Sequence, residues 1–490
     1  MAFNSLSFLI FFPIAVVGYY LIPEKLRNLW LLVLSYYFYM CWNASYALLI
    51  LFSTISTYLC AGLISKIQKP RGRKLALGLN IGVNLGILFL FKYYEMFVQL
   101  LANILEPIGI VFVPAKLSLL LPVGISFYTF QALGYSIDVY RGTIQHEKSF
   151  LNYALFVSFF PQLVAGPIER SERLLPQFHE KHPYRYENVA EGLRIMLLGF
   201  FKKVVIADNA AIAVDRMYTY LDVFPGPVLI FGIVLFAMQL YCDFSGYSDI
   251  AVGAAKVMGF DLMRNFDHPY CSRSISEFWS RWHISLSTWF KDYLYIPLGG
   301  NRRGTARTYC NLMIVFLVSG LWHGAAWTYV AWGAMHGAMQ VIGRMTKKTR
   351  VKLLHAMHVP TDTAWYRFFQ QAVVFALVCA SYVFFRSSTF AQAGYIFTHW
   401  FRGWGVFAHP MQAIGSFISL ADSVRVTAIL ILSIAALWLL ECYERKRKQP
   451  FDQMVAELSL PVQWCVYYGM LFAIALFGAF GQSSFIYFQF

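Results

Sequence analysis

The sequence predicts an all-α polytopic membrane protein with about 11 transmembrane helices, plus re-entrant or interfacial helices between them. Composition is the first reason. Of 490 residues, 58% are hydrophobic and 13% charged, against roughly 45–50% and about 25% in an ordinary soluble domain. Length is the second: apolar runs of about 18 to 22 residues recur from end to end, each long enough to cross a hydrocarbon core of roughly 30 Å as a helix. The third is continuity, because the runs do not alternate apolar with polar residues as membrane-barrel strands do. No periodic repeat or low-complexity linker divides the chain. One membrane domain is therefore expected over residues 1–490, subdivided into N-terminal helices at 1–118, a central core at 119–345 and C-terminal helices at 346–490.

Taken in order, residues 5–22 form a first span that Pro13 is expected to kink, and Glu24, Lys25 and Arg27 mark a short loop. Runs at 28–42 and 44–65 make a hairpin that returns to the same side, where Lys66, Lys69, Arg71, Arg73 and Lys74 form the first basic cluster. By the positive-inside rule both loops are cytoplasmic and the N-terminus lies outside. From 75 to about 140, Lys92, Glu95, Pro107, Pro114 and Pro122 interrupt the apolar runs, so the number of crossings stays open; Gln131, Asp138 and Arg141 close the segment. Residues 158–178 are apolar, too short to span, and broken by Pro161, Gly166 and Pro167. Such backbone is tolerated at membrane depth only where protein or a water-filled cavity satisfies it, which predicts a re-entrant or interfacial segment.

Residues 181–192 are polar and are followed by an amphipathic piece with Lys202, Lys203 and Asp208. The run at 224–242 leads into a stretch with Asp243 and Asp249 among apolar and small residues. An intramembrane carboxylate needs a partner, so Asp243 is read either as a structural hydrogen-bonding group or as a substrate contact. Further runs lie at 366–386, 423–441 and 461–480, with a weaker one near 389–400. They separate a second basic cluster (Arg344, Lys347, Lys348, Arg350, Lys352) from a third (Arg445 to Lys448), both assigned to the cytoplasmic side.

The formal charge of +15 sits in these short clusters. It signals membrane topology and the bilayer as a partner, with no nucleic acid expected. Eight scattered cysteines, none spaced C-x-x-C, make neither a disulfide framework nor a zinc site, and no metal is expected. The first basic residue is Lys25, after the first apolar run, so that run reads as a retained span and not a signal peptide.

Residues 265–337 pack ionisable and aromatic side chains densely between apolar flanks and hold His283, His323 and His336. In so apolar a chain this is where chemistry is expected. His323 sits in GLWHGAAW, where burial disfavours the imidazolium and leaves a neutral base; the alternative is a hydrogen-bonded packing residue. Gly320 and Gly324 leave space beside it for a ligand or a neighbouring helix. His283 lies in a segment mixing Trp279, Trp282, Trp289 and Phe290 with Glu277, Arg281, Ser285, Ser287, Lys291 and Asp292. This segment lines an aqueous cavity or lies at the interface as an amphipathic helix with an aromatic belt. Glu277 and Arg281 are spaced to pair on one helical face. His336 follows His323 by 13 residues, roughly 220° around a straight helix, and would not share its face unless the helix breaks. GGNRRGTAR offers Arg302 and Arg303 to the phosphates of a donor, or serves only as a topology signal. The chain carries no G-x-S-x-G elbow, P-loop or H-E-x-x-H pair.

NFDHPYCSRSISEFWSRWHISLSTWFKDYLYIPLGGNRRG followed by GLWHGAAWTYVAWGAMHG, with VAGPIERSERLLPQF and YCDFSGYSDIAVG earlier in the same order, resembles the membrane-bound O-acyltransferase family and within it the bacterial alginate O-acetylation branch. The resemblance implies helices around a central funnel, with His323 as catalytic histidine and His283 at a position that is Asn, Asp or His in different branches. Trp279, Arg281, Trp282, Ser287, Asp292, Asp243, Trp322 and His336 would then line the funnel. It further implies an O-acyltransferase, most simply an acetyltransferase with no permanently bound cofactor, that draws on a cytoplasmic thioester donor, acetyl-CoA or an acyl carrier. The acyl group would cross the plasma membrane to O-acetylate a cell-envelope or extracellular polysaccharide, by way of an extracytoplasmic acetyltransferase or esterase-like partner. The alternatives are D-alanyl transfer from a carrier protein to teichoic acid and, more remotely, a transporter or flippase, which would favour paired broken helices.

Overall fold

All regular secondary structure among the described residues of the computed structural model is helical. The description covers residues 1–110, 112, 121–164, 166–481 and 485–486; Pro114 and the expected boundary at 118–119 lie outside it. Among the described residues, six helices are long and apolar enough to cross a membrane: Tyr46–Lys66, Pro70–Ile108, Gly226–Val257, Ala364–Arg386, Val424–Arg447 and Leu460–Phe477. Leu6–Leu21 is apolar but shorter. The weak run near 389–400 is the ten-residue helix Phe390–His399, about 15 Å long and half a hydrocarbon core.

Contacts group the chain into two compact units. The first comprises Met1–Gly192 with Ala251–Met263. Here Glu24, Lys25 and Arg27 do not form a loop but begin the helix Glu24–Met40, which follows Pro23 as its N-cap and whose dipole favours Glu24. The basic cluster after Lys66 falls on the start of the next helix, which opens with Pro70 at its first position, where proline is preferred, and only Ile67 to Lys69 connect the two. Lys92 does not end that helix either, because a π-turn at Phe89–Tyr93 carries it on into Tyr94–Leu105. Polar side chains join these helices: Ser53 Oγ donates to Asn84 Oδ1 at 2.7 Å and Asn80 Nδ2 to Ser136 Oγ at 2.9 Å, both buried.

The segment at 158–178 is broken as its prolines and glycine predict, into Phe150–Ser158, Phe160–Leu163, Ser171–Leu174 and Pro176–His179. Protein groups satisfy its interrupted backbone. Gln131 Nε2 and Gln162 Nε2 both donate to the Phe156 carbonyl at 2.6 and 2.9 Å, and the Phe160 N–H donates to Ser35 Oγ at 3.0 Å. Together they satisfy the two halves of one bond, Phe160 N–H to the Phe156 carbonyl, that a continuous helix would have made internally.

The second unit comprises Leu193–Ile250 and Arg264–Phe490. Lys202 and Lys203 do not project from an amphipathic surface, as the sequence suggests, but are buried in a π-turn, Phe201–Ala207, between two α-helices. The hydrophobic core of this unit gathers Phe236, Leu240, Phe278, Trp282, Phe316, Trp332, Val378, Tyr382 and Phe385 around the candidate site.

Candidate active site

The turn that carries His283 is built by its neighbours. Ser274 caps the helix Ile275–Arg281 by accepting the Glu277 N–H at 3.1 Å, while Glu277 Oε2 accepts the Arg273 N–H at 2.8 Å. Glu277 and Arg281 pair at 3.0 Å, as their spacing predicts. The chain then reverses at His283, whose φ of 43° and ψ of 57° are left-handed. For a residue with a side chain this costs roughly 1–2 kcal/mol, and hydrogen bonds from residues 265–267 hold it. The Asp267 N–H donates to the Arg281 carbonyl at 3.0 Å and the Ile284 N–H to the Asn265 carbonyl at 2.9 Å. Asn265 Oδ1 accepts both from the Ser285 N–H at 3.3 Å and from Ser285 Oγ at 2.6 Å. Asn265 thus grips the two residues that follow His283. The His283 ring is fully buried, edge-on to Phe244 with centroids 4.6 Å apart and 5.9 Å from Trp322. Trp279, Trp282 and Trp289 are buried in protein as well, which sets aside an interfacial aromatic belt for this segment.

His323 is the last residue of the helix Thr305–His323, which stops because Gly324 is extended. The next helix, Trp327–Met345, folds back on the first. Glycine permits the approach: a Cβ on Gly320 would lie 2.3 Å from the Tyr329 carbonyl oxygen and one on Gly333 2.3 Å from that of Phe316. Of the two uses the sequence leaves open for Gly320, the neighbouring helix is the one observed. His323 is 3% exposed, and its ring stands 5.0 Å from Trp322, 4.9 Å from Trp332 and 5.4 Å from Phe385. The Trp322 indole therefore flanks both His283 and His323, 40 positions apart in sequence.

The break at Gly324 also brings His336 to the same region, against the expectation for a straight helix. Trp279 Nε1 donates to His336 Nδ1 at 3.2 Å, and His336 Nε2 lies 2.9 Å from Ser381 Oγ, which itself donates to the Val378 carbonyl at 2.7 Å. An indole N–H only donates and the serine proton is already committed, so His336 is the neutral tautomer with its proton on Nε2. Both ring nitrogens are engaged in bracing Trp279.

Asp243 has the partner that an intramembrane carboxylate needs. Lys203 Nζ lies 2.6 Å from Asp243 Oδ1 and 2.8 Å from Asp208 Oδ1, with all three side chains at most 3% exposed. Asp243 Oδ2 accepts the Ile486 N–H at 2.8 Å, and the next residue, Phe244, is the one against His283. Lys202 pairs with Asp249 at 2.8 Å. Ser287 is half-buried and donates to the Trp282 carbonyl at 3.2 Å. Asp292 is half-buried in the π-turn Lys291–Tyr295, and Arg302 and Arg303 stand exposed on the loop before Thr305.

The model of the MBOAT, membrane-bound O-acyltransferase family, matches residues 144–380, which include all three central histidines. The chain is 38% identical to a probable alginate O-acetylase of Pseudomonas putida along the full length of both proteins. The chain belongs to the membrane-bound O-acyltransferase family. It is also 41% identical to a probable alginate O-acetylase of Pseudomonas aeruginosa, over 80% of this chain and 73% of that protein. A peptidoglycan O-acetyltransferase of Helicobacter pylori is 36% identical over 80% of this chain and 78% of its own.

As a member of this family the protein is a multi-pass membrane O-acyltransferase. Around its histidines stand residues that the sequence reading passes over: Asn265, Phe244, Trp332, Ser381 and Phe385. Only Asn265 carries a local signal, as a polar residue three places before His268-Pro269 at the head of the dense stretch. The others are ordinary members of apolar runs until the chain folds.

Proposed function

We propose that this O-acyltransferase moves an acetyl group from a cytoplasmic thioester donor, acetyl-CoA or an acyl carrier, across the membrane to O-acetylate a cell-envelope or extracellular polysaccharide. The observation that carries the reading is the pairing of two buried histidines across the Trp322 indole. The names of the relatives, alginate O-acetylase and peptidoglycan O-acetyltransferase, supply the acetyl group and the class of polymer. In this reading His323 takes the proton of an acceptor hydroxyl as its oxygen attacks the thioester carbonyl, then returns the proton to the departing thiolate. His283, held by Asn265, orients donor or acceptor. Arg302 and Arg303 receive the donor's phosphates at the cytoplasmic rim.

The same proposal has about 11 crossings around a central funnel, with the N-terminus outside and the three basic clusters cytoplasmic. An extracytoplasmic acetyltransferase or esterase-like protein takes the acetyl group onward. The test is a His323→Ala variant verified to insert in the membrane: polymer O-acetylation is lost, whereas a normal acetyl content would refute the proposal. Purified protein supplied in parallel with acetyl-CoA and with a D-alanyl carrier protein decides between acetyl and D-alanyl transfer.

A further inference from the structure

Beside His323 stands a buried side chain, Trp332, whose chemistry its packing does not explain. It is 2% exposed, and its ring lies 4.9 Å from that of His323, perpendicular to it, 4.9 Å from His336, 5.2 Å from Phe385 and 5.8 Å from Trp279. Its Nε1–H makes no hydrogen bond among the described residues. The surroundings account for this. Phe385 carries no acceptor and Trp279 only donates. The one lone pair on neutral His336, at Nδ1, is taken by Trp279. A buried donor without a partner is costly, and phenylalanine would fill the space between these rings without that cost. An indole N–H facing this price beside the proposed base is suited to a group that arrives only with the substrate.

Resting on the acyl-transfer reading above, we propose that Trp332 Nε1–H is a catalytic hydrogen-bond donor to the acyl carbonyl oxygen. In the step it serves, the acceptor hydroxyl gives its proton to His323 and its oxygen bonds to the acyl carbon. The carbonyl π pair moves onto oxygen, and the resulting oxyanion accepts from the indole N–H. Re-forming the carbonyl breaks the carbon–sulfur bond, and the thiolate leaves with the proton from His323. Such a donor is already oriented in a water-poor site and acts where charge develops, so its removal lowers kcat more than it raises KM.

The experiment replaces Trp332 with 3-benzothienylalanine, which keeps the two-ring shape but has sulfur in place of N–H, and makes Trp332→Phe alongside. Both are reconstituted in proteoliposomes with wild type and His323→Ala, and acyl transfer from acetyl-CoA is timed. Expected is a fall in kcat of about 10²-fold for both Trp332 variants, with the donor KM changed less than threefold. Full activity with benzothienylalanine while His323→Ala is inactive overturns the donor role and leaves the acyl-transfer reading standing. A loss with phenylalanine alone also overturns it, because it assigns the effect to ring volume. Full activity of His323→Ala would instead remove His323 as the base on which this step rests, while no transfer from acetyl-CoA by wild type would strike the acyl-transfer reading itself.

Discussion

Asn265→Ala should damage the site well beyond the loss of one side chain. Asn265 is 1% exposed, and its Oδ1 accepts two hydrogen bonds from Ser285, at 3.3 Å to the N–H and 2.6 Å to Oγ, while Ser285 is fully buried. The two bonds contribute about 1 kcal/mol net each, and a buried group that loses its partner adds roughly 1–3 kcal/mol, so the deletion costs about 3–5 kcal/mol. A second consequence concerns His283. Its left-handed backbone costs roughly 1–2 kcal/mol, and the substitution removes the side-chain half of the clamp that offsets this, leaving only the backbone bonds from Ile284 N–H to Asn265 and from Asp267 N–H to Arg281. The turn is then free to relax and the imidazole leaves its place against Phe244. Ser285→Ala removes the Oγ bond but keeps the N–H bond, and should cost about 1 kcal/mol. The double variant should lose less than the sum, because the two residues share the interaction. Thermal melting in nanodiscs reads the stability, and acyl transfer at a temperature where both variants remain folded reads the site. Transfer should fall more than tenfold in Asn265→Ala. Wild-type melting and wild-type transfer together would show that Asn265 does not hold His283.

Other consequences are open to direct measurement. Lys203→Met leaves the Asp208 and Asp243 carboxylates buried without their cation, a loss of roughly 3–5 kcal/mol; a large fall in melting temperature, partly recovered by adding Asp243→Asn, is expected, and an unchanged temperature would contradict the ion cluster. Gly333→Leu forces a side chain onto the Phe316 carbonyl oxygen, 2.3 Å from where its Cβ must lie; the variant should separate the two helices around His323 and abolish transfer, and normal activity would show that their close approach is dispensable. His268 gives a pH dependence. Burial opposes its charge, but hydrogen bonds to Asp267 at 2.9 Å and Glu444 at 2.8 Å outweigh burial and push its pKa up to about 9. A folded-state pKa above the ordinary value of about 6.5 means that its contribution is complete below pH 6.5 and disappears as pH rises through about 9. The difference in melting temperature between wild type and His268→Gln should therefore shrink from pH 6 to pH 10, and a constant difference would rule out the charged pairing.

How much of this was legible beforehand depended on the range of the forces involved. Apolar runs, proline breaks and basic clusters are local, so helices such as Tyr46–Lys66, Ala364–Arg386 and Val424–Arg447 stand where the runs place them. His283 and His323 drew attention because polar groups are expensive in so apolar a chain. Their neighbours did not, since Trp279 and His336 meet over 57 positions and His336 and Ser381 over 45. Lys203 and Asp243 were each conspicuous, yet nothing local pairs residues on different helices. The basic residues after Pro23 and Pro70 read as loops by their charge, whereas in the fold they begin helices, the second with Pro70 at the first helical position that proline prefers and the first just after Pro23 as N-cap.

The base role of His323 is tested most directly by single-turnover acyl transfer from acetyl-CoA in proteoliposomes, comparing wild type with His323→Ala at matched donor occupancy. A general base contributes about 10²–10⁴-fold. The variant should bind the donor as wild type does and transfer at least about 10²-fold more slowly, and transfer at the wild-type rate would remove His323 from the chemistry.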